Sequence, residues 1–319
     1  MTSIIQEIVD LERFPIGDPG GEQFRTMLGD ITSSLEKDGC AVLQDFIRPE
    51  FRATMAREVS DVAHLSYDRL EQVNVYNTDI EQVYPADHPA SIVMERGNAF
   101  VARDLIGENA VIAQLYLDQD FKNFIATCFG LGEVHELADP YAGLCANILR
   151  PGLEHPWHLD TNEFTVSMLT QSSSDGGTFE YCPNIRSPGS ENMADVLDVV
   201  ATSAGNHVSS SAGNHVSSSA ANRASPSEKE RASQSSENRD KIKQLALRPG
   251  DLQLFKGRYS LHRVSPVAGT LDRHSVIFAY SELPGVIGAV ERTRQLFGRV
   301  SQMHMDAEKR AVRNDCLMD

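Results

Sequence analysis

Two consecutive runs of residues carry the main signal for the fold of this chain. They are Trp157-His158-Leu159-Asp160-Thr161-Asn162 and Phe164-Thr165-Val166-Ser167-Met168-Leu169. The second run is β-branched and apolar, which predicts a strand. Side chains two apart on a strand point to the same side, so His158 and Asp160 are expected to share one face. A histidine and a carboxylate on one face can supply two of the three protein ligands of a metal ion that keeps positions open for substrates. With ten histidines in the chain, this pair alone is weak evidence.

A second segment strengthens the prediction of a metal site. Pro249-Gly250-Asp251 is a turn signal, and the apolar run after it leads to His262, the expected third ligand. Further along, Arg273 and Ser275 lie two apart on the strand predicted over residues 274–280, so their side chains are expected on one face.

Together these residues resemble the Fe(II)/2-oxoglutarate-dependent oxygenases over roughly residues 35–300, apart from one insert. The resemblance implies a mainly β fold with flanking helices (α+β), a double-stranded β-helix, also called a cupin-like jelly roll. It implies that His158, Asp160 and His262 bind Fe(II) and form the catalytic centre. It also implies that Arg273 and Ser275 hold the distal carboxylate of the co-substrate 2-oxoglutarate, with O2 as the third reactant.

Three other segments are similar to the branch of this family that contains the halogenases and hydroxylases of free amino acids. They are Phe179-Glu180-Tyr181-Cys182-Pro183-Asn184-Ile185-Arg186, the segment 250–262, and Tyr280-Ser281-Glu282-Leu283-Pro284-Gly285-Val286. Halogenases of that branch carry Gly or Ala at the position of Asp160, which frees a metal position for chloride. Asp160 therefore favours hydroxylation of an unactivated C–H bond in a small molecule, a free amino acid or a derivative of one.

Candidates for substrate binding are Arg96, Asn147 and Arg258. Arg96 could clamp a substrate carboxylate, because its planar guanidinium matches that group; a solvated surface arginine is the alternative. Asn147 lies on the strand that leads into the metal site, where it could face the pocket or be a satisfied core amide. Arg258 is an even number of residues from His262 and is therefore expected on the same side.

Other functions remain open at this point. A cupin-type metal-binding or isomerase barrel usually has two histidines two apart and then a glutamate, whereas the +2 residue here is Asp160. A non-catalytic barrel with structural histidines would show no 2-oxoglutarate turnover. Within the same family, the reaction could end as halogenation, desaturation or cyclisation.

Composition limits the class of protein. The chain has 319 residues, enough for one large domain, and 41% hydrophobic residues, enough for a sizeable core. Lys and Arg number 29 against 45 Asp and Glu, a net charge of −16, which disfavours nucleic acid and anionic membranes as partners. Five cysteines without CxxC spacing, no signal peptide and no long apolar run predict a cytoplasmic protein. The oligomeric state cannot be read from the sequence.

Local patterns predict the helices that flank the barrel. Helical spacing is expected over residues 21–37, 49–64 and 109–129, and irregular structure over 65–107. Near the end of the chain, Arg292, Arg294 and Arg299 are interpreted as a solvated or salt-bridged helix face. His155, three residues before His158, is expected to point elsewhere on its strand.

The segment 203–238 differs in kind from the rest of the chain. Residues 204–211 repeat letter for letter at 212–219, and a serine-rich stretch follows. Such a composition buries too little apolar surface to offset the entropy of ordering. We therefore expect one domain over 1–319 that contains a flexible, low-complexity insertion at 203–238.

Overall fold

A computed structural model of the protein describes residues 3–204, 241–307 and 318. Its helices are α1 (Ile5–Ile8), α2 (Glu22–Asp38), α3 (Pro49–Val62), α4 (Val111–Leu117), α5 (Gln119–Cys128), α6 (Met193–Ala204), α7 (Val290–Phe297) and α8 (Gln302–Asp306). Single turns of 3-10 helix lie at Ala63–Leu65, Pro89–Ser91 and Arg103–Leu105.

The strands are short and spread along the described chain. They are β1 (Cys40–Leu43), β2 (Glu71–Val73), β3 (Met94–Arg96), β4 (Ala99–Val101), β5 (His135–Glu136), β6 (Leu144–Leu149), β7 (His155–His158), β8 (Thr165–Gln171), β9 (Asp175–Gly176), β10 (Phe179–Cys182), β11 (Lys243–Leu245), β12 (Leu252–Phe255), β13 (Leu261–Val264), β14 (Val267–Ala268), β15 (Arg273–Phe278) and β16 (Tyr280–Ser281).

Two antiparallel sheets form the barrel. The large sheet has the order β1-β12-β8-β15-β6-β4, and the small sheet has the order β11-β10-β13-β7. From β6 to β15 the main strands alternate between the sheets: β6, β8, β12 and β15 belong to the large one, and β7, β10 and β13 to the small one. This alternation is the double-stranded β-helix, so the predicted mainly β jelly roll with flanking helices is confirmed.

The outer face of the large sheet is covered by helices. Alternate residues of its strands, such as Met168, Leu254 and Val276, are buried in one apolar cluster with side chains of α2 to α5. Phe46, in the turn after β1, stacks on Phe124 of α5 at 6.3 Å between ring centroids. The opposite face of the sheet is turned toward the small sheet and carries both apolar and polar side chains, such as Leu149 and Arg273.

The interior between the sheets holds a second cluster. Leu149 and Phe255 of the large sheet pack with Phe179, Tyr181 and Val264 of the small sheet. On its far side, the small sheet is covered by α6, whose valines at 196, 199 and 200 pack against Trp157 and Leu159. The side chains that face the interior are therefore enclosed by both sheets.

The local predictions hold where a short-range signal ends an element. Gly39 ends α2 in the left-handed conformation (φ 62°), and its N–H donates to the carbonyl of Leu35. The helix expected over 109–129 is instead two helices, because the Asp118 side chain accepts from the N–H groups of Asp120 and Phe121 and starts a new one. The region 65–107, expected to be irregular, contributes the three strands β2 to β4.

Two further predictions concern regions that need separate mention. Within residues 3–204 and 241–307, no helix is both long and apolar enough to cross a bilayer. The predicted insertion at 203–238 lies outside the described residues from 205 onward, so it stays a prediction; α6 extends to Ala204.

Candidate active site

The structure brings His158, Asp160 and His262 together. His158 on β7 and His262 on β13 are direct partners across the small sheet, so their side chains lie side by side. Asp160 follows β7, and its Oδ1 lies 3.7 Å from His158 Nε2 and 3.5 Å from His262 Nε2. One donor atom of each residue falls within 4.8 Å of the other two, close enough to contact a common ion.

Both imidazoles are oriented by the backbone. His158 Nδ1 lies 2.8 Å from the carbonyl of Pro156, and His262 Nδ1 lies 2.9 Å from the carbonyl of Ser260. A carbonyl can only accept, so each Nδ1 carries a proton, and in the neutral form of the ring Nε2 then keeps a free lone pair. The hydrogen bonds therefore select the tautomer that a metal ligand needs.

Protonation agrees with this tautomer. Burial, assisted by the neighbouring His262, lowers the pKa of His158 to about 3, so the ring is neutral at neutral pH. Burial alone would raise the pKa of the Asp160 carboxyl, but His262 and His158 and the hydrogen bond from Thr165 lower it below its ordinary value. Two histidine nitrogens and one carboxylate oxygen are the donor set of the 2-His-1-carboxylate facial triad that holds non-haem Fe(II).

The Asp160 carboxylate is held on its other side. Thr165 Oγ1 donates to Asp160 Oδ2 at 2.6 Å, and the Asp160 N–H donates to the carbonyl of Gly257 at 3.1 Å. A Cβ at position 257 would lie 1.9 Å from Oδ2, so only glycine leaves space for the carboxylate. These contacts come from β8 and from the turn before β13, and sequence spacing did not point to either residue.

His155 lies against His158, one of the candidate metal ligands, contrary to the expectation that it points elsewhere. The pairing of β7 with β13 shifts by one residue between His158 and His155, a β-bulge. The His155 ring consequently stacks on His158 at 3.8 Å between centroids and 20° between planes. The bulge cancels the alternation on which the prediction depended.

Arg273 and Ser275 face the same interior as the triad. Leu149, the direct partner of Arg273, belongs to the interior cluster with Phe179 and Phe255, and both rings contact His262. Arg273 is only 6% exposed, and its Nη1 donates to Ser275 Oγ at 3.4 Å. Burial lowers the pKa of Arg273 to about 10, with no offsetting carboxylate among the described residues. A buried cation without a counterion is costly, so an anion that paired with Arg273 would be bound favourably.

The three candidate substrate-binding residues, Arg96, Asn147 and Arg258, are all buried. Asn147 is the direct partner of Ser275, and its Oδ1 accepts from Asn98 Nδ2 at 3.1 Å. Arg258 Nη1 donates to the carbonyl of Thr161 at 3.2 Å, a contact that ties down the chain after Asp160. Arg96 pairs through Nη2 with Glu71. None of them is a solvated surface residue, and their roles toward a substrate stay predictions.

Arg292 was missed by sequence reasoning. Of the three arginines interpreted as a solvated or salt-bridged face, Arg299 pairs with Asp104 and Arg294 is exposed. Arg292 is instead partly buried, and its charge lowers the pKa of both His155 and His158. It therefore lies on the side of the helix that faces the candidate site.

No protein-family model and no curated protein matches the chain. Solved structures that resemble it include a 2OG-Fe(II) oxygenase family oxidoreductase from Burkholderia pseudomallei, 16% identical, covering 81% of this chain and 92% of that one, with a TM-score of 0.42. A Trichoplax adhaerens prolyl hydroxylase, solved with a hypoxia inducible factor peptide, is 14% identical and covers 83% and 96%, with a TM-score of 0.45. AviO1 from Streptomyces viridochromogenes is 13% identical and covers 79% and 94%, with a TM-score of 0.47. Identity and overlap at these levels do not assign a function to the chain.

Proposed function

We propose that the protein is an Fe(II)/2-oxoglutarate-dependent dioxygenase that hydroxylates an unactivated C–H bond of a small molecule. His158, Asp160 and His262 hold the iron. One combination of features supports the proposal most. The ligand atoms of His158, Asp160 and His262 lie close together inside the jelly roll, and the same interior holds Arg273, which has no counterion among the described residues. A cupin-type or purely structural barrel would not require that arginine.

Arg273 and Ser275 are proposed to hold the distal carboxylate of 2-oxoglutarate. A planar guanidinium binds a carboxylate through parallel hydrogen bonds, and Ser275 adds a hydroxyl on the same strand face. Bound carboxylate would give Arg273 the counterion that it lacks among the described residues. The co-substrate would then extend across the interior from β15 toward the triad.

Bound iron with 2-oxoglutarate and O2 supplies the oxidation, in which 2-oxoglutarate becomes succinate and CO2 and the substrate C–H becomes C–OH. The protein orients the ligands and excludes water. Backbone carbonyls fix the imidazoles, and Thr165 fixes Asp160. Phe179 and Phe255 pack on the His262 ring and keep that side of the site dry.

Asp160 supports hydroxylation over halogenation. Its carboxylate, bonded to Thr165 and oriented toward both histidines, would occupy the metal position that a halide needs. The substrate is proposed to be a free amino acid or a derivative of one, with Arg96, Asn147 and Arg258 as candidate contacts. Desaturation and cyclisation by the same centre are alternative outcomes.

Anaerobic titration with Fe(II) and detection of succinate test the proposal. The wild-type protein is expected to bind one Fe(II) per chain and to form succinate from 2-oxoglutarate in the presence of O2. His158→Ala and His262→Ala should abolish both, whereas His64→Ala, at an exposed position, should change neither. Full iron binding in both site variants would refute the assignment.

A further inference from the structure

Arg96 on β3 has unused hydrogen-bonding capacity. The residue is only 3% exposed, and Nη2 of its guanidinium forms an ion pair with Glu71. Nε and Nη1 are buried and have no hydrogen-bond partner among the described residues. Buried donors without partners are costly, so a group that accepts from them would be bound favourably.

The position of Arg96 is next to the proposed iron site. Strand β3 packs against β7, which carries His155 and His158. The N–H of Gly97 donates to the carbonyl of Glu154 at 3.0 Å, which joins the end of β3 to the start of β7. His155, on the strand that β3 packs against, stacks on the His158 ring.

A second guanidinium, that of Arg292, lies on α7, which borders the same region. Glu71, the partner of Arg96, lines one surface pocket with Gln295 of this helix. This helix docks on β4 through Phe297, whose ring packs edge-on against Phe100 at 6.2 Å. The described hydrogen bond of the Arg292 guanidinium goes from Nη1 to Gln295 Oε1, at a long 3.3 Å. Burial, followed by the like charge of Arg96, lowers the pKa of Arg292 to about 10.

The local charges do not balance. The carboxylates that act on the two guanidiniums are Glu71 and Asp160. Glu71 is shared with Arg69, whose Nη1 lies 3.9 Å away, and Asp160 belongs to the proposed metal site. Among the described residues, Arg96 is therefore paired with Glu71, whereas the Arg292 guanidinium makes no ion pair with a carboxylate.

Asn98 adds an acceptor two residues from Arg96. Its Nδ2 donates to Asn147, whereas its buried Oδ1 has no partner among the described residues. An uncharged N–H suits this oxygen, since the positive charge of the nearby Arg96 would repel an ammonium group.

We infer that Arg96 and Arg292 form an anion subsite that binds the substrate carboxylate, and that the substrate carries net negative charge. The class that fits is an amino-acid derivative with a free carboxylate and a neutral amide nitrogen, as in an N-acylated amino acid. This inference rests on the proposed function, because it names the substrate class of the same site.

A three-series panel tests the substrate class. N-acetyl-L-amino acids, the free L-amino acids and their amides differ in net charge while their side chains stay the same. The N-acetyl series is expected to stimulate succinate formation most and to raise the melting temperature of the metal-free protein most. If the N-acetyl acids show no advantage over the free amino acids in either measurement, the inference is wrong.

Substitutions on α7 test the subsite itself, using the panel member that stabilises the wild-type protein most. Arg292→Gln should weaken its binding to the metal-free protein by about 10- to 1,000-fold, because one partner of a desolvated charge pair is lost. Arg292→Lys should restore part of the affinity. Arg25→Gln, at an exposed position on α2, should bind as the wild type does. Unchanged affinity in Arg292→Gln would overturn the assignment.

Co-substrate and metal titrations distinguish a failure of the proposed subsite from a failure of the proposed function. Titration of wild type and Arg292→Gln with 2-oxoglutarate and Fe(II) should give equal affinities, since Arg273 and the triad are untouched. Loss of those affinities in Arg292→Gln alone would show that Arg292 acts on the iron or co-substrate site, against the inference. Their absence from the wild-type protein would refute the proposed function.

Discussion

Thr165 Oγ1 and Asp160 Oδ2 are joined by a 2.6 Å hydrogen bond that holds one carboxylate oxygen away from the two histidines. Oδ1 is left as the oxygen nearest to His158 and His262. Asp160 follows its strand and would otherwise be free to rotate about its side-chain bonds. Thr165 therefore presets the carboxylate for binding through a single oxygen.

Thr165→Val should weaken metal binding while keeping the shape of the side chain. Hydrogen-bond partners of metal ligands typically contribute about 10- to 100-fold in affinity, and we expect a loss of that size. Thr165→Ser, which keeps the hydroxyl, should stay close to wild type. Anaerobic titration with Fe(II) measures both, and tight binding by Thr165→Val would show that the hydrogen bond has no such role.

Gly257→Ala should displace the Asp160 carboxylate. The added Cβ would lie 1.9 Å from Oδ2, so the carboxylate or the turn must move. We expect weaker metal binding and slower succinate formation, with the melting temperature of the metal-free protein as the measure of structural damage. Gly107→Ala, where no atom lies within 4 Å of the added Cβ, is the matched control and should behave as wild type. Equal metal affinity in both variants would contradict the steric argument.

Arg273→Met should separate stability from co-substrate binding. A pKa lowered to about 10 by burial means that the folded protein without ligand bears an unfavourable free energy on the order of 3 kcal/mol for this cation. Methionine removes that charge, so the metal-free protein should unfold at the same or a higher temperature.

The same variant should lose the response to 2-oxoglutarate. Its apparent KM should rise by about tens- to thousands-fold, from the loss of a buried charge pair. Thermal stabilisation by 2-oxoglutarate should disappear as well. A variant that is destabilised yet still stabilised by 2-oxoglutarate would assign the carboxylate to another residue.

Asp160→Gly tests the outcome of the reaction. Wild type incubated with excess chloride should give a product one oxygen atom heavier than the substrate, and no chlorinated species, as mass spectrometry would show. The variant should lose most hydroxylation and chlorinate poorly, because an open metal position alone does not place a halide near the substrate. A dominant chlorinated product from wild type would rule out Asp160 as a metal ligand.

Features that depend on residues close together in the chain could be predicted from the sequence. The His-x-Asp spacing predicted that His158 and Asp160 lie together, although Asp160 follows β7 and is held by Thr165 and Gly257 rather than by the strand. The turn at Pro249 predicted the strand segment that leads to His262. The helix predicted over residues 21–37 is α2, which ends at Gly39 because a left-handed glycine terminates a helix locally. These features depend on neighbouring residues along the backbone, so they can be predicted without knowledge of the fold.

The residues that surround His158, Asp160 and His262 could be identified only from the folded structure. The bulge in β7 turned His155 onto His158, and the docking of α7 turned Arg292 inward. Thr165 and Gly257 reach Asp160 from different strands and turns, at separations that no periodicity encodes. Burial then changed the properties of Arg273, because desolvation depends on every element packed around it. Contacts between distant segments and the dielectric they create are set by the closed barrel, and therefore appear only once the chain is folded.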